Sequence, residues 1–157
     1  MLPYLCIRPA VTNDLSALEG LVTEVFDTPE CLRFFESHNG QAVPDICSEH
    51  ALVAVQRNPI VGFILFDQDE FLGVVTGIGV RVTHRQFGVA SLLVASVVDK
   101  LRADGLRVLD AVCDTHIEKC IGLFEKHKFR ALKHEGSHVL LTRRLVGGSN
   151  RGDGFDV

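Results

Sequence analysis

The sequence predicts an α/β fold with a mixed, mostly antiparallel central sheet of about seven strands and helices on both faces. Strand-like and helix-like apolar patterns alternate along the chain. The 157 residues, of which 46% are hydrophobic, are enough to bury one sizeable core. No internal repeat or low-complexity tract divides the chain. We therefore expect a single domain over residues 1–146 and a flexible tail over residues 147–157, GGSNRGDGFDV.

The first third of the chain predicts one strand followed by two helices. Residues 4–8 have the pattern of a strand. Thr12 or Asn13 is placed to cap a helix whose apolar residues recur at helical spacing, namely Leu15, Leu18, Leu21, Val22 and Val25. Thr28-Pro29-Glu30 has the residue order that opens a second short helix. Residues 39–48 are loop-like.

A meander of three antiparallel strands is predicted next. Its strands are ALVAVQ, IVGFILF and FLGVVTGIGVRV, which begin at Ala51, Ile60 and Phe71. Asn58-Pro59 marks the first turn and the acidic residues 67–70 mark the second.

A long helix over residues 88–104, ended by Gly105, follows the meander. The residues predicted to share its buried face are Val89, Leu92, Leu93, Val97 and Leu101. After it we expect a strand over residues 108–113 and a helix opened by the capping box Thr115-x-x-Glu118. Two last strands are predicted near residues 130–133 and 138–144.

Charge and composition narrow the class of partner. The formal net charge of -4 provides no basic surplus for a phosphate backbone, so we expect no nucleic-acid partner. The opening MLPYLCIRPA lacks the basic region of a secretion signal, and no segment has the roughly 20 apolar residues that cross a bilayer. The cysteines form an odd, scattered set of five, typical of reduced thiols, so we expect a cytoplasmic protein without a membrane partner.

The junction between the third meander strand and the long helix predicts an anion site. Residues 85–90, RQFGVA, place several backbone N–H groups at a helix N-terminus, where the helix dipole adds partial positive charge. Gly88 permits close backbone approach and Arg85 adds a formal positive charge. These features favour a bound phosphate, although an ordinary strand-to-helix turn is the alternative.

This junction and a second motif together resemble the GNAT superfamily of acyl-CoA-dependent N-acyltransferases. The central signature of the family is a strand ending in valine, then R/Q-x-x-G-x-G/A opening a long helix. Val80, Arg85, Gly88 and Ala90 match it in register. Residues 120–129, CIGLFEKHKF, are similar to the family's A-x-x-L-Y-E-K-x-G-F helix. The likeness extends over nearly the whole chain up to residue 145.

The resemblance implies a splay between the fourth and fifth strands that accepts the pantetheine arm of acetyl-CoA. The arm would pair with the backbone of Val80 and Val82, and the pyrophosphate would lie on the N–H groups of residues 86–90. A neutral amine would attack the thioester directly, with the Val80 N–H stabilising the oxyanion. The cofactor-binding residues implied in this way are Val80, Val82, Arg85, Gln86, Phe87, Gly88, Val89, Ala90, Ser91 and Phe124.

Departures from the family pattern concern the chemistry. Phe124 stands where the family has a tyrosine, a candidate acid for the leaving thiolate, and Lys128 replaces the glycine that ends this helix. Asp114 and His116 follow the fifth strand and are the candidate catalytic proton relays. A turn or cap role for Asp114 and a solvated His116 are the alternatives.

The cysteines near these positions allow two further interpretations. Cys120 could carry the acyl group with His116 as its base, or it is a thiol of the core. Cys113, His116, Cys120 and His127 could hold zinc, but they contain no C-x-x-C pair, so we expect no metal.

The function expected from the resemblance is an N-acetyltransferase that moves acetyl from acetyl-CoA to a primary amine. Its partners would be acetyl-CoA and an unidentified amine acceptor, and a homodimer is left open. The alternative is an acyl-CoA-binding sensor or partner module that keeps the cofactor site but has little or no transferase activity.

Overall fold

A computed structural model describes residues 4–26, 50–115 and 118–145. These residues form a seven-stranded sheet with the strand order β1-β2-β3-β4-β5-β7-β6. The strands are β1 (Leu5–Pro9), β2 (Ala51–Gln56), β3 (Ile60–Gln68), β4 (Leu72–Val80), β5 (Val108–Asp114), β6 (Arg130–Glu135) and β7 (His138–Arg144). The α-helices are α1 (Leu15–Val25), α2 (Val89–Ala103) and α3 (Glu118–Lys126). None of the helices in the described part of the chain is long and apolar enough to cross a membrane.

The pairing of the strands confirms the predicted mixed, mostly antiparallel sheet. Antiparallel pairs join β1 to β2, β2 to β3, β5 to β7 and β6 to β7. The one parallel pair described, β4 with β5, matches residues 72–75 with residues 108–111. Both strands run on beyond this register, β4 to Val80 and β5 to Asp114. The parallel pairing therefore ends partway along both strands, as a splay between the fourth and fifth strands requires.

The described residues divide into two compact units. The first holds residues 4–26, 50–66 and 76–94, and the second holds residues 67–75, 95–115 and 118–145. β4 and α2 each contribute residues to both units. The single domain expected over residues 1–146 stays a prediction.

The core of the first unit lies between α1 and the sheet. The apolar residues of α1 recur at helical spacing, so this helix presents one apolar face. β2 is apolar and buried from Ala51 to Val55, and its alternate residues Ala51, Val53 and Val55 belong to this core. The buried residues of this cluster are Ala10, Leu18, Leu21, Val22, Ala51, Val53, Val55, Ile60, Phe63 and Leu65.

The start of α1 differs from the prediction that Thr12 or Asn13 caps it. Both residues lie in a 3₁₀ turn, Thr12–Asp14, that precedes the helix. The buried Asp14 carboxylate accepts the N–H of Val11 at 2.8 Å and binds the Arg8 guanidinium with both oxygens, at 2.8 and 2.9 Å. The predicted caps are wrong because a carboxylate paired with an arginine on β1 organises this turn.

The core of the second unit is formed by α3, the end of α2 and the buried residues of β5 and β7. Alternate residues of β5 and β7 are buried, and cross-strand pairing places them on one face. The buried apolar residues of this unit are Val75, Val97, Val98, Leu101, Leu106, Leu109, Ala111, Cys113, Phe124, Phe129, Val139, Leu141 and Leu145.

Two details of α2 and β4 differ from the sequence prediction. Leu92 is 41% exposed, while Val94 and Val98 of α2 are buried instead. β4 ends at Val80, so the last two predicted strand residues lie beyond it, and a 3₁₀ turn covers Val82–His84. The residues 28–30 predicted to open a second helix, the loop at 39–48 and the tail at 147–157 lie outside the described residues. So does the middle of the predicted capping box, residues 116–117.

Candidate active site

The turn that joins β4 to α2 has an unusual backbone conformation. Arg85 is extended, with φ -76° and ψ 156°, whereas Gln86 has φ 69° and Gly88 has φ 87°. A Cβ added to Gly88 would meet nothing within 4 Å, so glycine is required there for its conformation and the space beside it is open. Left-handed backbone at a residue other than glycine costs about 1–2 kcal/mol, and such strain is concentrated at functional sites.

The backbone N–H groups of this turn are available to a ligand. No described residue accepts a hydrogen bond from the N–H groups of residues 86–90. The first described backbone hydrogen bond at the start of α2 runs from the Leu92 N–H to the Gly88 carbonyl oxygen at 3.0 Å. These donors lie where the positive end of the helix dipole also lies. The turn can therefore bind an anion such as a phosphate group.

Arg85 makes a contact that its position in the motif does not predict. Its Nε donates to the carbonyl oxygen of Val80 at 2.9 Å, which ties the end of the turn to the end of β4. The side chain is otherwise exposed, and among the described residues none accepts from its other four N–H donors. The Val80 carbonyl, which was expected to pair with pantetheine, already accepts one hydrogen bond and retains a second lone pair.

An ion pair between α1 and the segment after β4 fixes the start of the turn. The Glu24 carboxylate accepts from Arg81 Nη1 at 2.9 Å and from the Val82 N–H at 3.0 Å. The Arg81 N–H donates to the carbonyl of Val61 at 2.8 Å. Val82 remains a predicted cofactor contact, but it lies beyond β4 and its N–H is already engaged by Glu24. Sequence reasoning missed Glu24 and Arg81 because 57 positions separate them.

A second tie involves the imidazole of His84. Its Nε2 lies 2.9 Å from Gln56 Oε1 on β2, and its Nδ1 lies 2.9 Å from Thr83 Oγ1. The contact with Gln56 holds the 3₁₀ turn against β2. His84 and Gln56 therefore support the position of the anion-binding turn, and neither carries a motif that would have identified it.

The remaining predicted residues of the turn divide into packing and exposed positions. Val89 is buried, Ala90 and Ser91 are half-buried, and Phe87 is 51% exposed. The predicted residues from Val80 to Ser91 thus lie in one continuous segment of the first unit, from the end of β4 to the start of α2.

The other predicted site residues lie in the second unit. Asp114 is 5% exposed at the end of β5, where it pairs in register with His138 of β7. The Phe124 ring is 1% exposed and packs edge-on against Phe129, with ring centroids 5.0 Å apart. His116 lies outside the described residues. Within the described part of the chain, no three His, Cys, Asp or Glu side chains are grouped to hold a metal ion.

The family comparison concerns most of the chain. The model of the Acetyltransferase (GNAT) family matches residues 21–129, which include the whole turn between β4 and α2. No curated protein shows a significant sequence match to this chain.

Solved structures of low sequence identity have the same fold. The ribosomal-protein-S18-alanine N-acetyltransferase of Escherichia coli is 14% identical with a TM-score of 0.73, over 94% of this chain and 97% of that one. The PaiA N-acetyltransferase of Thermoplasma acidophilum in complex with coenzyme A is 12% identical with a TM-score of 0.79, over 89% and 98%. NAA60 of Arabidopsis thaliana in complex with acetyl-CoA is 19% identical with a TM-score of 0.71, over 91% and 99%.

Proposed function

The chain belongs to the GNAT acetyltransferase family, and we propose that it binds acetyl-CoA and transfers the acetyl group directly to a primary amine of an acceptor. The observation that carries this proposal is the row of N–H groups over residues 86–90 that no described residue engages, beside the open space at Gly88. Structures of similar fold that hold coenzyme A or acetyl-CoA support it. The family match runs through residues of both units, which supports one domain over residues 1–146.

The residues of the turn fit the pyrophosphate of the cofactor. An oxygen-rich dianion needs several converging donors and little steric bulk. The N–H groups of residues 86–90 supply the donors, and Gly88 leaves space for close approach. Arg85 adds formal positive charge through the N–H groups that Val80 does not use. Glu24 and Arg81 keep the turn in place before the ligand arrives, so little ordering entropy is lost on binding.

Acetyl-CoA would supply an activated acyl group as a thioester, and the residues of the chain would position it. The Val80 N–H would donate to the carbonyl oxygen as negative charge develops there. Asp114 or His116 would take the proton from the attacking amine. Phe124 has no hydroxyl to donate to the departing sulfur, so we propose that alignment of the two substrates provides most of the acceleration.

The described cysteines support a reducing, cytoplasmic location. Cys6, Cys113 and Cys120 are all free thiols, as expected for a protein of the cytoplasm.

Release of free coenzyme A thiol from acetyl-CoA tests the transferase activity. The purified chain is incubated with acetyl-CoA and one amine at a time. The amines are a peptide with a free N-terminus, a polyamine, a free amino acid and an aminoglycoside. We expect thiol release that depends on one class of amine. Binding of acetyl-CoA without release in the presence of any amine would favour the sensor alternative.

Two glycine variants test the anion site itself. Gly88→Ala keeps the open space but disfavours φ 87° by about 1–2 kcal/mol, so we expect acetyl-CoA binding weaker by about ten-fold in calorimetry. Gly122→Ala on α3 also meets nothing within 4 Å and should leave binding unchanged. Equal affinities of the two variants would overturn the assignment of the turn, whatever the result with amines.

A further inference from the structure

Two thiols of the second unit lie within hydrogen-bond distance of each other. Sγ of Cys113, on β5, is 3.0 Å from Sγ of Cys120, on α3, seven positions later. A disulfide bond is about 2.05 Å long, so the two sulfurs need to approach each other by only about 1 Å to become bonded. The distance between the two sulfurs is therefore compatible with formation of a disulfide.

The two sulfurs differ in their access to solvent. Cys113 is 1% exposed, whereas Cys120 is half-buried. The pKa of the Cys113 thiol lies far above its ordinary value. The hydrogen bond with Cys120 is the largest cause, and burial of the thiol is the second. Cys113 therefore stays protonated and can donate its S–H to Cys120. Cys120 is the less buried residue of the two, so a reagent from solvent reaches it first.

Neither thiol has another evident task. Among the residues that the structure describes, no third ligand joins them to form a metal site. The proposed binding turn, residues 80–91, lies in the other unit.

We propose that Cys113 and Cys120 form a redox-active dithiol site whose substrate is a peroxide. The Cys120 thiolate attacks a hydrogen peroxide oxygen, which gives a sulfenic acid on Cys120 and releases hydroxide. The Cys113 sulfur then attacks the Cys120 sulfur while the Cys113 S–H proton passes to the sulfenic oxygen, which leaves as water. Together the two thiols lose two electrons and the peroxide is reduced to water. The product is a disulfide that joins β5 to α3.

Peptide mapping of the wild-type chain tests the proposal. Trypsin cleaves after Lys119, between the two cysteines, and yields the peptides 108–119 and 120–126, each with one cysteine. Neither peptide contains Cys6, Cys31 or Cys47. The folded chain is treated with hydrogen peroxide, its remaining thiols are alkylated, and the digest is analysed by mass spectrometry. We expect the two peptides to be joined, two hydrogens lighter than their sum, and to separate after reduction with dithiothreitol.

Two controls separate this site from general thiol oxidation. The chain unfolded in urea before peroxide treatment should yield much less of this joined pair, because unfolding removes the proximity of the sulfurs. In Cys120→Ser the joined pair is absent by design, and Cys113 should remain open to alkylation after unfolding because it is buried while the chain is folded. Exposed Cys6 reports that the peroxide dose was sufficient.

The proposal is overturned if Cys6 is oxidised while peptides 108–119 and 120–126 stay separate in the folded chain. It is also overturned if Cys120 gains oxygen atoms that dithiothreitol does not remove, since a partner thiol at 3.0 Å should intercept the sulfenic acid first. Neither result depends on acetyl-CoA or an amine, so failure here leaves the proposed transferase untouched.

Discussion

Lys128 ends α3 in a backbone conformation that favours glycine, and replacing it with glycine should stabilise the protein. The Phe129 N–H donates to the Phe124 carbonyl at 3.1 Å and the Lys128 N–H to the Glu125 carbonyl at 3.0 Å. These two bonds, with φ 72° at Lys128, form a Schellman motif. The rings of Phe124 and Phe129 add the apolar contact that accompanies this motif.

The end of α2 is a matched control, because it has the same motif with glycine at the same position. There the Leu106 N–H donates to the Leu101 carbonyl at 3.0 Å and the Gly105 N–H to the Arg102 carbonyl at 3.1 Å, with φ 88° at Gly105. Neither position is restricted by neighbours: Lys128 is exposed and a Cβ on Gly105 would meet nothing within 4 Å. Only the backbone preference therefore differs between the two helix ends.

The expected change follows from two opposing costs. Left-handed backbone costs a residue with a Cβ about 1–2 kcal/mol, whereas glycine loses about 0.5–1 kcal/mol more conformational entropy on folding. Lys128→Gly should therefore raise the free energy of unfolding by about 0.5–1 kcal/mol, and Gly105→Ala should lower it by a similar amount.

Urea denaturation of both variants and the wild type measures these changes. A loss of about 1 kcal/mol in Lys128→Gly would show that α3 does not end in this motif. Stabilisation by Gly105→Ala would show that the entropy of the unfolded chain outweighs the backbone strain at this position, which would also refute the reasoning.

Three further predictions concern the turn, the start of α1 and the ring at position 124. Arg85→Glu should weaken acetyl-CoA binding about ten-fold or more, as measured by calorimetry. The control Arg130→Glu, on exposed β6, should leave the affinity for acetyl-CoA unchanged. Equal affinities of the two variants would refute a cationic role for Arg85. The Arg8 guanidinium holds the pKa of Asp14 below its ordinary value. The pair therefore stabilises the fold fully when the pH is above the ordinary pKa of an aspartate, and this stabilisation is lost as the pH falls through the lowered pKa. Asp14→Asn should cost about 1.5–3 kcal/mol at pH 7 and show a smaller acid-dependent loss than the wild type; parallel acid titrations would contradict this. Phe124→Tyr would raise turnover if the added hydroxyl reached the departing sulfur. Because the Phe124 ring is buried, we expect the variant to lose about 1–3 kcal/mol of stability instead. An unchanged melting curve would argue against that burial.

Local patterns in the sequence determined the elements of the fold and the place of the candidate site. Apolar periodicity is a property of neighbouring residues, so the bounds of β2 and β7 and of most of α2 could be predicted. The glycine motif likewise located the turn over residues 85–90, because a positive φ at Gly88 is a local requirement. The φ of 72° at Lys128 confirms that this helix ends as the family's glycine implied.

Only the tertiary structure decided what holds these elements in place. Glu24 meets Arg81 across 57 positions, and Arg85 folds back onto the Val80 carbonyl. Helical periodicity placed Leu92 on the buried face, but a helix buries the side that its neighbours cover, which here includes Val94 and Val98. The sulfurs of Cys113 and Cys120 come within 3.0 Å because a strand end and a helix pack together. Such contacts depend on three-dimensional proximity between residues distant in sequence or on different elements, which no local pattern encodes.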